Sequence, residues 1–222
     1  SHCEKPQSKT FVCGGAGNGK SFLISLICDM VIRQTPPELK GSIQANQPIV
    51  LKAAPKGVAA FNIRGSTIHS LLKLSVDRDR KRPKLTSLNK ENHEEFRRLL
   101  AHVRLLIVDE VSMVSKEFLE TQIDARLKEI LTENKHMPFG GLSVLFVGDF
   151  WQLKPVTGSY CFHSHIWKSL TVFQLIECMR QRGHADWISR LNRVRSKEIT
   201  QDDVAWFNCR VVPSAGHPLF KL

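Results

Sequence analysis

The stretch GGAGNGKS, Gly14 to Ser21, follows the apolar run Phe11, Val12, Cys13 and precedes Phe22, Leu23, Ile24. Gly14, four residues, then Gly19, Lys20 and Ser21 fit the P-loop pattern G-x-x-x-x-G-K-[ST], whose glycines let backbone N–H groups close on an anion. The flanking runs predict a strand before it and a helix after it, so the amides and the positive end of the helix dipole converge on one point. A string of this kind arises by chance in on the order of one chain in a hundred of this length, and the strand-to-helix context makes chance rarer. The competing reading is a glycine-rich turn with no ligand. The favoured one is a triphosphate cradle made by Gly15, Ala16, Gly17, Asn18 and Gly19, with Lys20 reaching the β- and γ-phosphates of ATP and Ser21 setting its hydroxyl on Mg²⁺.

Outward from that stretch, short apolar runs recur between helical patterns: TFVC at 10–13, PIVLKAA at 48–54, RLLIVDE at 104–110, SVLFVGD at 143–149 and LTVFQL at 170–175. Continuous rather than alternating apolarity suits strands covered on both faces, as in a parallel sheet. Phe22, Leu23, Leu26, Ile27, Met30 and Val31 predict the inner side of a helix ending before Pro36. Ser115 predicts the cap of another helix, with Leu119, Ile123, Leu127 and Ile130 inward. The expected fold class is therefore α/β, a parallel sheet with helices on both faces carrying a P-loop, and ligands at the carboxyl ends of the strands. Two segments read as loops: 34–48, and a basic insertion at 75–92 that is either a solvated surface or a DNA contact.

Composition narrows the class. The 222 residues suit one domain over 1–222, and 42% hydrophobic and 24% charged residues argue against disorder. No apolar run reaches the roughly 18 residues of a spanning helix, and the first residues are not a signal peptide, so an intracellular protein with no membrane partner is expected. Six cysteines, at 3, 13, 28, 161, 178 and 209, lack paired spacing, which argues against disulfides and zinc. Lys and Arg outnumber Asp and Glu by 32 to 21, an excess that favours a polyanionic partner or a merely basic surface about equally. Residues 73–104 hold ten basic and five acidic side chains, and 180–197 hold six and one.

Three further stretches carry chemistry. LLIVDEVSM delivers Asp109 and Glu110 at the end of a buried strand, where the first can hold Mg²⁺ and the second can orient or deprotonate water. VLFVGDFWQLKPV ends a second strand at Gln152, which either senses the γ-phosphate or forms a turn. In ECMRQRG, Arg180 is either a guanidinium for the triphosphate or an ordinary surface arginine.

Taken together, GGAGNGKS, APKGVAAFNIRGSTIHSLL, IVDEVSMVS, GDFWQLKPV and LIECMRQ, over about residues 10–210, resemble the petite-integration-frequency family of superfamily-one DNA helicases, ATP-driven 5′-to-3′ translocases that include those of Helitron-type transposons. The resemblance implies a P-loop NTPase with a RecA-like parallel sheet, and catalytic roles for Glu110, Gln152 and Arg180, with Lys20, Ser21 and Asp109 on ATP and its metal. It implies that 54–70 lies along single-stranded DNA, making Lys56, Gly57, Asn62, Thr67 and His69 backbone contacts; small residues and hydroxyl donors there are compatible, although His69 can equally satisfy a buried carbonyl. It further implies action at duplex junctions, a monomer, and nuclear and possibly mitochondrial roles in DNA repair, recombination and telomere maintenance. Asn18, Lys56 and Lys154 depart from the family's usual threonine, threonine and proline.

Relatives also use a second RecA-like lobe and an upstream glutamine motif. Neither has a counterpart in these 222 residues, where Gln7 stands too near the first strand, so weak nucleotide binding and near-background ATPase are expected of the isolated chain. The alternative is a non-catalytic DNA-binding remnant of a transposon-type helicase. A P-loop kinase for a small molecule leaves GDFWQL and the charge of +11 unexplained.

Overall fold

The computed structural model describes residues 7–36, 47–75, 85–180 and 183–211. Its contacts group the chain into two compact units, Ser1–Glu177 and Cys178–Leu222, where the sequence led us to expect one domain over 1–222.

The first unit is built on six parallel strands: β1 (Lys9–Gly14), β2 (Val50–Ala54), β3 (Ser66–Thr67), β4 (Leu105–Val108), β5 (Ser143–Gly148) and β6 (Thr171–Leu175), in the order β3-β2-β4-β5-β1-β6. All five predicted strands are present; β3, two residues long, was not legible. Successive side chains alternate between two cores. Leu106, Val108, Val144 and Phe146 face one, and Leu105, Ile107, Leu145 and Val147 face the other. A strand covered this way needs apolar residues at every position, which is why β4 and β5 read as unbroken apolar runs. β6 departs from that expectation: it is the sheet edge, with Val172 and Phe173 more than half exposed.

Helices cover both faces. On one lie α1 (Lys20–Arg33) and α2 (Gly57–Asn62). On the other lie α3 (Ile68–Leu71), α4 (Lys90–Leu100) and the consecutive stretches Lys116–Phe118, π-helical Leu119–Asp124, and Ala125–Ile130. Ser115 caps this last run, its Oγ accepting from Phe118 N–H at 3.1 Å, and Leu119, Ile123, Leu127 and Ile130 are all buried, as predicted.

Two readings need correction. The buried stripe of α1 is Ile24 and Cys28, flanked by Leu23, Ile27 and Val31, while Phe22, Leu26 and Met30 are exposed. A helix apolar nearly all round gives periodicity too little contrast to fix its inner face. The loop expected over 75–92 gives way to helix at Lys90, where Asn89 Oδ1 caps α4 by accepting from Asn92 N–H at 2.8 Å. Residues 76–84 of that insertion, and 37–46 of the other, lie outside the described residues.

The second unit contains the helices Ala185–Ser196 and Gln201–Asn208. They are clasped by buried Asp203, which accepts from Arg190 and Arg193 and also from the Thr200 backbone and hydroxyl. Much of the basic excess in 180–197 is thus neutralised within the unit by Asp186, Asp202 and Asp203.

Candidate nucleotide site

Residues 14–21 turn sharply between β1 and α1. Gly17 and Gly19 both hold φ of +83°, a conformation costly for residues bearing a Cβ. Gly19 stands at the N-cap with no side chain accepting from the first turn, so those N–H groups face outward. Asn18, a departure from the family pattern, donates from Nδ2 to Leu175 O at 2.6 Å and ties the loop to the end of β6. The Lys20 ammonium donates to Gly14 O and Gly15 O, each at 2.9 Å. Ser21 is exposed at the first turn of α1.

The acidic pair leaves β4. Asp109 is 6% exposed, accepts from the Glu110 N–H at 2.9 Å, and donates its own N–H to Ala53 O. Burial pushes the Asp109 carboxyl above the usual carboxylate range, against the Glu110 N–H and the Lys20 ammonium, which pull it down. Glu110 sits in the left-handed region at φ +51°, a strain of about 1–3 kcal/mol for a residue with a side chain. Its carboxyl is also raised, first by burial and then by Asp109, with Asp149 adding to the rise and Lys20 and Lys56 opposing it. One ammonium, Lys20, thus acts on both carboxyls of β4 although β5 runs between β4 and β1. Gly148, at the end of β5, lets the turn that follows Glu110 press against that strand, since a Cβ there would meet Val111 N at 3.0 Å.

β5 delivers buried Asp149, whose Oδ1 accepts from Trp151 N–H and whose Oδ2 accepts from Gln152 Nε2, both at 3.1 Å. Phe150 anchors this turn inward among Phe11, Tyr160, Phe162 and Trp167. Gln152 is therefore fixed by Asp149, which stands within the quoted motif but was given no role from sequence.

The segment after β2 places Lys56 at the N-cap of α2, with Gly57 and Asn62 exposed upon it. Thr67 Oγ1 caps α3 by accepting from Ser70 N–H at 3.2 Å. The His69 ring packs on Phe118 at 5.0 Å between centroids, and burial holds its pKa down. Arg180 is exposed and belongs to the second unit. Gln7 donates to Pro138 O and Leu142 O just ahead of β5, so its amide is engaged at the opposite end of the strands from this loop.

Residues 1–202 match the family model described as PIF1-like helicase. The chain belongs to the PIF1-like helicase family. It is 33% identical over 201 residues to ATP-dependent DNA helicase PIF1 of Saccharomyces cerevisiae, covering 86% of this chain and 22% of that protein. It is 34% identical over 218 residues to ATP-dependent DNA helicase Pif1 of Campylobacter jejuni, covering 89% and 42%. Among solved structures, a Bacteroides Pif1 bound to single-stranded DNA superposes with a TM-score of 0.73 at 26% identity, over 96% of this chain and 48% of that one. A Bacteroides Pif1 in complex with ADP-AlF3 and single-stranded DNA gives 0.69 at 29% identity, over 91% and 46%. This PIF1-like chain thus spans less than half the length of these relatives, and its fold is the expected RecA-like α/β one.

Proposed function

We propose that this chain is the first RecA-like lobe of an ATP-driven DNA helicase, with MgATP held at the phosphate loop and single-stranded DNA held along residues 54–70. The observation that carries the reading is that the phosphate loop follows β1 and the Asp109–Glu110 pair follows β4 at the same, carboxyl edge of one parallel sheet, with the Lys20 charge acting to lower the pKa of both carboxyls. Relatives named ATP-dependent DNA helicases, and Bacteroides structures holding single-stranded DNA or ADP-AlF3, support it.

In this reading Gly15, Ala16, Gly17, Asn18 and Gly19 wrap the phosphates with backbone amides, and Lys20 exchanges its loop carbonyls for β- and γ-phosphate oxygens. Ser21 and Asp109 are the residues that would hold Mg²⁺. Held there, the ion would supply positive charge to offset the negative charge developing on the phosphates in the transition state. The raised Asp109 carboxyl fits such a role, because a divalent cation offsets the burial that disfavours its ionised form. Glu110, its carboxyl raised above the usual range by burial and by Asp109, accepts a proton from the attacking water. Gln152, steadied by Asp149, senses the γ-phosphate. Lys56, Gly57, Asn62, Thr67 and His69 hold the DNA backbone.

A second lobe supplies an arginine worth about 10³–10⁵ in rate in related P-loop enzymes, so this chain by itself binds nucleotide weakly and turns over near background. Cleft closure on ATP then exchanges the grip on DNA between lobes, stepping a monomer 5′-to-3′ toward duplex junctions, with nuclear and mitochondrial DNA as its setting. The test is steady-state ATPase, with and without single-stranded DNA, on this chain and on one extended through a second lobe. Stimulation of the extended protein by DNA is expected; hydrolysis that DNA never stimulates overturns the reading.

A further inference from the structure

Helix α2 has two unlike sides. Ala60 and Ile63, at its end, are in the core, 3% and 5% exposed, while Val58 and Phe61, one turn apart on the other side, are 76% and 82% exposed. Exposed apolar side chains occur elsewhere on this unit, Phe22 and Trp151 among them, so what sets Phe61 apart is its place beside Val58 inside the segment proposed to carry DNA. Its mounting is rigid. Gly65 N–H donates to Ala60 O at 2.8 Å and Arg64 N–H to Phe61 O at 2.9 Å, and a Cβ on Gly65 would lie 2.3 Å from Lys52 O, so the chain after the helix presses directly on β2.

The surroundings of the ring are cationic and hydroxylic. Exposed Lys56 precedes it, exposed Arg64 and Ser66 follow it, and residues 54–70 contain no acidic side chain. A partner must then offer a flat apolar surface beside dense negative charge, and a single-stranded nucleic acid offers both in each nucleotide. Bases stack on aromatic rings with little sequence preference while cations follow the backbone.

We propose that Phe61 is a base-stacking residue for single-stranded DNA, adding a contact to the bases where the segment's other groups reach only the backbone. This rests on the reading that residues 54–70 carry the strand. A ring presented on a fixed helix loses little freedom on stacking, and its contact leaves the number of neutralised phosphates unchanged.

The experiment is fluorescence anisotropy at low salt, with labelled oligo-dT and a fully abasic strand of equal length titrated with the wild-type chain, Phe61→Ala and Phe61→Trp. The expected result is that Phe61→Ala binds oligo-dT roughly 5- to 100-fold more weakly, binds the abasic strand within about twofold of wild type, and keeps the salt slope, while Phe61→Trp restores oligo-dT binding. Equal binding of oligo-dT by wild type and Phe61→Ala overturns stacking and leaves the DNA reading standing. Equal loss on both strands also overturns stacking, assigning Phe61 to the shape of the segment. Failure of the wild type to bind either strand overturns the reading of residues 54–70 and the stacking proposal with it.

Discussion

Replacing Asp109 by Asn separates what the folded chain tolerates from what its proposed chemistry requires. The amide keeps an oxygen able to accept the Glu110 N–H, now 2.9 Å away, and fills nearly the same volume. It removes a charge that burial opposes more strongly than Lys20 supports, and it relieves the Glu110 carboxyl, which Asp109 raises. Loss of such a poised charge commonly stabilises by about 1 kcal/mol, which for a domain of this size raises Tm by about 2–4 °C. The pH dependence has a definite sign. A folded carboxyl raised above its unfolded value of about 3.9 binds its proton more tightly in the native state, so wild-type stability falls as pH rises through that window. Asp109→Asn lacks this slope, and the two proteins converge in acid. Ligand reverses the order at neutral pH: at a hundred times its Kd, MgATP adds about 2.7 kcal/mol to the wild type and much less to the variant. Calorimetric melts with and without MgATP read both effects. A metal-free variant less stable than wild type at pH 7, or one that gains as much from MgATP, refutes the reasoning.

Gly65→Ala places a Cβ against the Lys52 carbonyl and should cost roughly 1–3 kcal/mol in urea unfolding, with weaker DNA binding by the displaced segment. Arg193 beside Asp203 holds that carboxyl well below the usual range. Its contribution is therefore complete above about pH 4 and lost only as pH falls through the lower folded value; Asp203→Asn should strip amide-exchange protection from Ala185–Ser196 and Gln201–Asn208 even at pH 7. Burial pushes the Cys161 thiol up to about 12, so iodoacetamide at pH 8 should label exposed Cys209 and spare Cys161 until the chain is unfolded, as peptide mapping would show.

The sheet was legible because both its faces are covered. Leu105–Val108 and Val144–Val147 send alternate side chains into two cores, leaving a four-residue apolar signature that few other structures produce. The same completeness hid the orientation of α1, whose polar positions are too few to mark a solvent side. α4 was lost because NKENHEEFRR is so charged that only Phe96 and Leu100 are buried, and its Asn89 cap was read as part of a loop. At the site, the phosphate loop and the carboxylates of β4 stand at strand ends, where an apolar run breaks into glycine or acid. Asp149, Phe61 and the Asp203 clasp escaped because each depends on what folding places beside it. Gln152 needs a partner three residues back, the phenylalanine is distinctive only once it is seen to be exposed, and Arg190 and Arg193 looked like free surface charge until Gln201–Asn208 brought acids to them.

The central claim is that Lys20 and the carboxylates of β4 form one MgATP site. Isothermal titration of MgATP into the wild-type chain and Lys20→Ala tests it most directly. Saturable 1:1 binding by the wild type, and none by Lys20→Ala over the same range, is the predicted result; equal affinity in the two proteins, or binding by neither, contradicts it.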